Sequence, residues 1–182
     1  MIIFITGTPG TGKTTVSHLL KKQLPCRLVD INQLVEDENL YTGLDEERGY
    51  KIVDINSLCT FLQDVIHLKE PHVNDPHIVV EGHLSHLCPG ADVVIVLRTN
   101  PHILEDRLKA KGFKESKIRE NLEAEALDMC TYEAYQKYKD QTQEIDTTSK
   151  SPQEIVATIL EVINGQKSYP VGGIDFSEYL LE

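Results

Sequence analysis

The chain has no C-x-x-C pair; its four cysteines, Cys26, Cys59, Cys88 and Cys130, are widely separated. That spacing excludes a zinc ribbon and a dithiol redox motif. It predicts reduced, mostly buried thiols in a cytoplasmic protein. Positive charge is also scarce. Against 29 Asp and Glu stand 18 Lys and Arg, for a net charge of −11. A broad nucleic-acid-binding surface is excluded, and a basic protein partner suits this balance better. No apolar run approaches the ~20 residues of a membrane-spanning helix. The apolar start, Met1 to Ile5, runs directly into a glycine-rich loop, which is not the pattern of a signal peptide. No internal repeat or low-complexity segment is present, and 182 residues are consistent with one domain.

What is present begins at once. Gly7-Thr8-Pro9-Gly10-Thr11-Gly12-Lys13-Thr14 matches G-x-x-x-x-G-K-[ST], the Walker A pattern. The apolar run Ile2–Ile5 before it reads as a buried strand. Val16, Leu19, Leu20 and Leu24 after it have helical spacing. A loop between strand and helix points its amides at a phosphate, with the positive end of the helix behind them. In that pattern Gly10 and Gly12 leave room for the phosphates of a nucleoside triphosphate, Lys13 reaches the β- and γ-phosphates, the Thr14 hydroxyl holds Mg²⁺, and Thr15 is a second hydroxyl in the same cradle.

Strand-like runs then alternate with helical ones. Strands are predicted at Cys26–Asp30, His77–Glu81, Asp92–Arg98 and Glu144–Thr147. Helices are predicted over 54–68, 101–110, 117–139 and from Ser151 to about Asn164. Ser151-Pro152-Gln153-Glu154 combines an N-cap serine, a first-turn proline and a capping-box glutamate. The alternation predicts an α/β P-loop NTPase fold with a mostly parallel sheet covered by helices on both faces. Residues 1–164 form the domain. The tail, 165–182, carries apolar residues such as Tyr169, Phe176 and Tyr179 and is expected to pack on that domain rather than on a partner.

The loop alone does not separate kinases from GTPases or motors. No Asn-Lys-x-Asp guanine-reading motif exists, and no separate AAA-type or helicase motif is visible. Ile78-Val79-Val80-Glu81-Gly82-His83 is an apolar strand ending in an acid, the place from which P-loop proteins hold Mg²⁺. His83 is a candidate for orienting a phosphate or an attacking water, against the alternative of an ordinary loop histidine. His83-x-x-His86 has metal-ligand spacing but no third ligand. The chain has only five arginines, Arg27, Arg48, Arg98, Arg107 and Arg119. Phosphoryl transfer needs cations around the transferred group. Arg98 at a strand end, Arg107 on the next helix and Lys111 in the stretch that follows are the candidates. For Arg107 a solvated helix face is the alternative.

At this point the pattern becomes more specific. Gly7 to Thr15, Leu40-Tyr41-x-Gly43-x-Asp45-Glu46-Glu47, Asp54, Glu81-x-His83, Leu97-Arg98-Thr99 and Arg107-Leu108-x-x-Lys111-Gly112-Phe113 together resemble the adenylate kinase isoenzyme-six family, as does the run Lys117 to Glu125. These are small atypical adenylate kinases that double as ribosome-assembly ATPases. The resemblance covers residues 2–164 and is closer to archaeal than to nuclear members. It implies strand order 2-3-1-4-5, a monophosphate-binding region at 30–53 and a short lid at 110–120. It implies ATP and Mg²⁺ as cofactors, AMP or another nucleoside monophosphate as acceptor, and Thr14 with Glu81 at the metal. It also implies a small-subunit ribosomal protein near the 3′ end of the small-subunit RNA as partner. Two activities stay open: transfer from ATP to AMP, or ATP hydrolysis that drives assembly. Three positions depart from the family: Glu81 for Asp, Lys111 for Arg before the lid glycine, and Glu36 where an Arg holds the monophosphate. Glu36 is expected to repel AMP, with Arg48 as a possible substitute.

Overall fold

The computed structural model describes residues 1–46, 50–68 and 75–181. Five strands, β1 (Ile2–Thr6), β2 (Cys26–Asp30), β5 (His77–Glu81), β6 (Val93–Arg98) and β7 (Thr142–Asp146), form one sheet in the order β2-β5-β1-β6-β7. All four pairings are parallel. Counted along the sheet's own strands, the order is 2-3-1-4-5, as expected. The antiparallel hairpin β3 (Tyr41–Asp45) and β4 (Tyr50–Val53) stands apart from it.

Alternation along each strand divides the core into two layers. Phe4, Val80, Val94 and Val96 face α3 (Ile55–His67) and α6 (Met129–Tyr138), where Leu58, Leu62, Ala134 and Tyr138 meet them. Ile3, Ile5, Val79, Ile95 and Leu97 face α1 (Lys13–Lys21) and α7 (Pro152–Ile163), packing on Val16, Leu20, Ile155 and Ile159. A third cluster joins α4 (Pro101–Ala110) to α5 (Glu115–Ala126) through Leu104, Leu108, Ile118 and Leu122. The short α2 (Ile31–Asp37) begins at Asp30, whose carboxylate accepts from the amides of Asn32 and Gln33. The capping box of α7 forms as the residues predict, with Ser151 and Glu154 bonded reciprocally.

Two expectations need correction. The helix expected over 117–139 is two helices. The chain turns at Leu127 and Asp128, and Asp128 adopts a left-handed φ of 55°. The turn lets α5 lean on α4 while α6 returns to the sheet. Nor are all the cysteines reduced: Cys59 on α3 and Cys88 form a disulfide. Cys26 and Cys130 remain free. Spacing could not reveal this pair, because the crossover between β5 and β6 brings the two residues together.

The tail docks on its own domain. The Glu144 amide donates to the Tyr169 carbonyl at 2.8 Å, and Pro170 forms an isolated bridge with Gln143. Further along, Phe176 lies over the Arg98 guanidinium, and Tyr179 packs on the α4–α5 cluster. Among the described residues no helix is long and apolar enough to cross a membrane.

Candidate active site

The loop after β1 places its glycines where other residues would fail. Gly10 has φ +93°, and a Cβ there would stand 2.8 Å from the Leu104 side chain. The loop therefore lies directly against α4. Lys13 opens α1 but bends back over the loop: its ammonium donates to the carbonyls of Gly7 at 2.8 Å and Thr8 at 3.0 Å. Burial pulls its pKa down to about 8, while nearby Cys130, Glu81 and Glu125 work the other way. Thr14 and Thr15 are exposed on the first turn of α1.

Glu81 ends β5 with the same parity as Val79, so it faces α1 rather than α3. It is 1% exposed, and its Oε2 has no hydrogen-bond partner. Burial raises its carboxyl pKa, and the Thr14 hydroxyl and Lys13 pull it back. A buried carboxylate oxygen with no donor, beside an exposed threonine hydroxyl, fits a divalent cation; these two groups are hard oxygen ligands of the type Mg²⁺ prefers.

Two cavities flank the loop. One, of about 440 Å³, is lined by Gly10, Gly12, Thr15, Arg107, Lys111 and Lys150. The other, of about 640 Å³, is lined on the Pro9 side by Asn32, Glu36, Lys51, His83 and Lys117. His83 is half-buried there. Burial, then the charges of Lys13 and Lys117, push it down to about 4, so its ring is neutral at pH 7. Arg107 donates to the Thr99 hydroxyl at 3.4 Å and the Thr147 carbonyl at 3.3 Å. A larger cavity of about 740 Å³ lies elsewhere, between α6, β7 and the tail, and none of the loop's residues line it.

Arg98 does not reach either cavity, which corrects the expectation that it closes over the transferred charge. Its parity is that of Val94 and Val96, so it points into the α6 layer. It is 1% exposed and bonded to Glu125, Asp128 and Glu144. His86 is likewise structural. Its Nδ1 meets the Thr6 hydroxyl at 2.6 Å and its Nε2 meets Glu133 at 2.9 Å. No cluster of metal-ligating side chains occurs among the described residues.

Glu36 is not a bare carboxylate; Lys51 on β4 pairs with it. Arg48, the expected substitute cation, lies outside the described residues. Lys51, Lys117, Asn121 and Asn32 in one cavity and Lys150 in the other were not singled out from the sequence. Lysine and asparagine at helix starts and hairpins are common, and only the fold brings them to the loop. Lys117 and Asn121 did stand in the Lys117–Glu125 run.

A P-loop between two cavities on a 2-3-1-4-5 parallel sheet defines a P-loop kinase fold. Similarity to solved structures supports this. A shikimate kinase from Bacteroides thetaiotaomicron superposes with TM-score 0.62 at 15% identity, covering 90% of this chain and 98% of that one. A thymidylate kinase from Candida albicans gives 0.58 at 15% identity, covering 90% and 91%. A family model described as "AAA domain" matches residues 3–128. The chain belongs to that family; the match runs from β1 past the end of α5. Its sequence relatives include archaeal proteins named "Putative adenylate kinase". One from Methanothermobacter thermautotrophicus is 43% identical over 99% of both chains. One from Pyrococcus furiosus is 40% identical over 100% of this chain and 94% of that one.

Proposed function

We propose that this chain is a nucleoside monophosphate kinase of the adenylate kinase type, transferring the γ-phosphoryl group of ATP to AMP. The observation that carries this reading is the pair of cavities that share one phosphate loop. A hydrolase needs one nucleotide site and a water. A kinase needs a donor site and an acceptor site on opposite sides of the transferred group. The Arg107–Lys150 cavity suits the donor and the Lys51–Lys117 cavity the acceptor. The names of the relatives and the resemblance to the isoenzyme-six family point the same way.

In this reading an oxygen of the acceptor phosphate attacks the γ-phosphorus. The bond to the β–γ bridging oxygen breaks, and ADP leaves from both sites. Lys13 exchanges its two loop carbonyls for phosphate oxygens, which restores an ion-pair partner to a cation weakened by burial. Arg107 and Lys111 approach from α4 and offset charge on the donor side. Thr14 and Glu81 would hold Mg²⁺, which supplies neutralisation of phosphate charge. Residues 110–120 act as the lid and 30–53 as the monophosphate arm. Purified protein with ATP, AMP and Mg²⁺ is expected to form two ADP, and a Lys13→Ala variant is not. Equal ADP yields from the two proteins would refute the proposal.

One observation favours a second activity. His83 stands neutral on the acceptor side, free to orient a water when no monophosphate is bound. Slow ATP hydrolysis that His83→Ala abolishes, with ATP affinity little changed, is the expected outcome. The assembly role implied by the resemblance, with a small-subunit ribosomal protein as a basic partner, is supported here by the acidic balance of the chain; the location that goes with this reading is the cytoplasm. A pull-down that recovers no ribosomal protein would count against it.

A further inference from the structure

Glu125 lies one residue from the end of α5 and is 1% exposed. Its Oε1 accepts from Arg98 Nε and the Thr99 amide, both at 2.9 Å. Its Oε2 accepts from the Thr8 hydroxyl at 2.5 Å. Neutralising Arg98 does not require this acid. Arg98 already faces Asp128 and Glu144, so with Glu125 one cation meets three carboxylates. A further carboxylate beside a loop that must receive a polyanion is electrostatically adverse. What Glu125 supplies is position.

Thr8 is the junction of the loop. Its carbonyl accepts from the Thr11 hydroxyl at 2.9 Å, the Thr11 amide at 3.3 Å and Lys13 Nζ at 3.0 Å. The neighbouring Cys130 thiol, half-buried and pushed up to about 11 by desolvation, adds an uncharged contact. Glu125 is therefore the one charged group outside the loop that holds Thr8 by its side chain among the described residues. Glu125 rides on α5, and the other half of α5 carries Lys117 and Asn121 into the acceptor cavity. Eight residues of helix, about 12 Å, separate Lys117 from Glu125. The helix is a rigid bar with the acceptor at one end and the phosphate loop at the other.

We propose that Glu125 is a positioning residue whose hydrogen bond to Thr8 couples acceptor binding on α5 to the arrangement of the loop around Lys13. This rests on the kinase reading, which supplies the acceptor. Acceptor that draws on Lys117 shifts α5, Glu125 carries the shift to Thr8, and the carbonyl that holds Lys13 moves with it. Coupling of this kind is reciprocal: AMP must change affinity for ATP by the factor by which ATP changes affinity for AMP.

The test is the affinity of β,γ-imido-ATP, measured by calorimetry with Mg²⁺, with and without saturating AMP. In the wild-type protein AMP is expected to change it by about fivefold or more. Thr8→Val keeps the branched shape and removes the hydroxyl, so its ratio is expected to fall to within about twofold of one. Thr8→Ser restores the donor and is expected to restore the ratio, which a merely structural effect on folding would not do. If Thr8→Val does not fold, Thr8→Ala carries the same comparison. A Thr8→Val or Thr8→Ala protein that keeps the wild-type ratio overturns the inference. If wild-type protein also forms ADP from ATP and AMP, that result leaves the kinase reading standing. Wild-type protein that neither binds AMP nor forms ADP overturns both.

Discussion

Replacing Arg98 separates a structural cation from a phosphate clamp. The perturbation is Arg98→Met, which keeps length and removes charge. Glu125 and Glu144 are each 1% exposed, so both would lose their buried counter-ion. Asp128 is 42% exposed and screened by water, so its share is small. Breaking a buried pair by removing one partner costs about 3–5 kcal/mol, because an uncompensated charge stays behind. Against a native stability of about 5–15 kcal/mol, the variant is expected to be close to unfolding at ambient temperature. Urea unfolding followed by far-UV circular dichroism reads the loss. Arg98→Lys, which keeps the charge but not the planar fork, is expected to fall between the two. The kinetic expectation is equally definite: while folded, the variant binds ATP nearly as the wild type does. A variant with the wild-type urea midpoint and phosphoryl transfer reduced about 100-fold, the loss typical of a removed transition-state donor, would refute this reasoning and return Arg98 to the site.

Three further outcomes are expected. Reduction of Cys59–Cys88, or their joint replacement by alanine, opens a link between residues 29 apart and should cost about 3 kcal/mol, read as a fall in melting temperature with reductant. An unchanged melting temperature would show that the link contributes nothing. Acid should weaken the fold through His83: its folded pKa, about 4, lies below its unfolded value near 6.5, so its contribution is present above pH 6.5 and lost as pH falls towards 4. Between pH 7 and pH 5 the loss from this group is about 1–2 kcal/mol, and a His83→Gln protein with the wild-type pH slope would contradict it. Gly82→Ala should destabilise by about 2 kcal/mol or more, because φ there is +152° and a Cβ would meet Ile31 Cβ at 2.6 Å; a urea midpoint equal to wild type would show that α2 yields freely.

The sheet was legible because its strands are buried on both faces, so each reads as an unbroken apolar run between helical segments. The order of the strands was not in those runs and came from resemblance. The loop was legible because its chemistry requires consecutive residues. Arg98 misled because a strand-end arginine near a phosphate loop looks like a clamp. Parity with Val94 and Val96 was available in the sequence, and it turns the side chain to the opposite layer. The break at Leu127–Asp128 was hidden because Leu-Asp-Met-Cys carries no glycine or proline. The cavity proposed for the acceptor was the least legible part. Its lysines and asparagines come from α2, β4 and α5, and nothing local marks them as neighbours.

Glu36 shows how pairing changes the meaning of a residue. Alone, a carboxylate in the monophosphate arm argues against AMP. Paired with Lys51, it contributes almost no net charge to the cavity, and Lys51 also lies over the Tyr41 ring at 4.3 Å. The pair is partly exposed, with Glu36 at 56%, so it is weak enough to open. An arriving phosphate can then take Lys51 and leave Glu36 to water. Lys117, from α5, lines the same cavity, 3.9 Å from the Tyr50 ring centroid and 3.8 Å from a carboxylate oxygen of Glu120. Among the described residues, the proposed acceptor side therefore draws on two lysines, Lys51 and Lys117, whose resting partners are solvated carboxylates, Glu36 and Glu120, and aromatic faces. Lysine binds phosphate as a point charge, without the planar fork that fixes one geometry. If this cavity is the proposed acceptor site, lysines would discriminate less among monophosphates than an arginine clamp, and the expected outcome is phosphorylation of other monophosphates besides AMP in an acceptor panel.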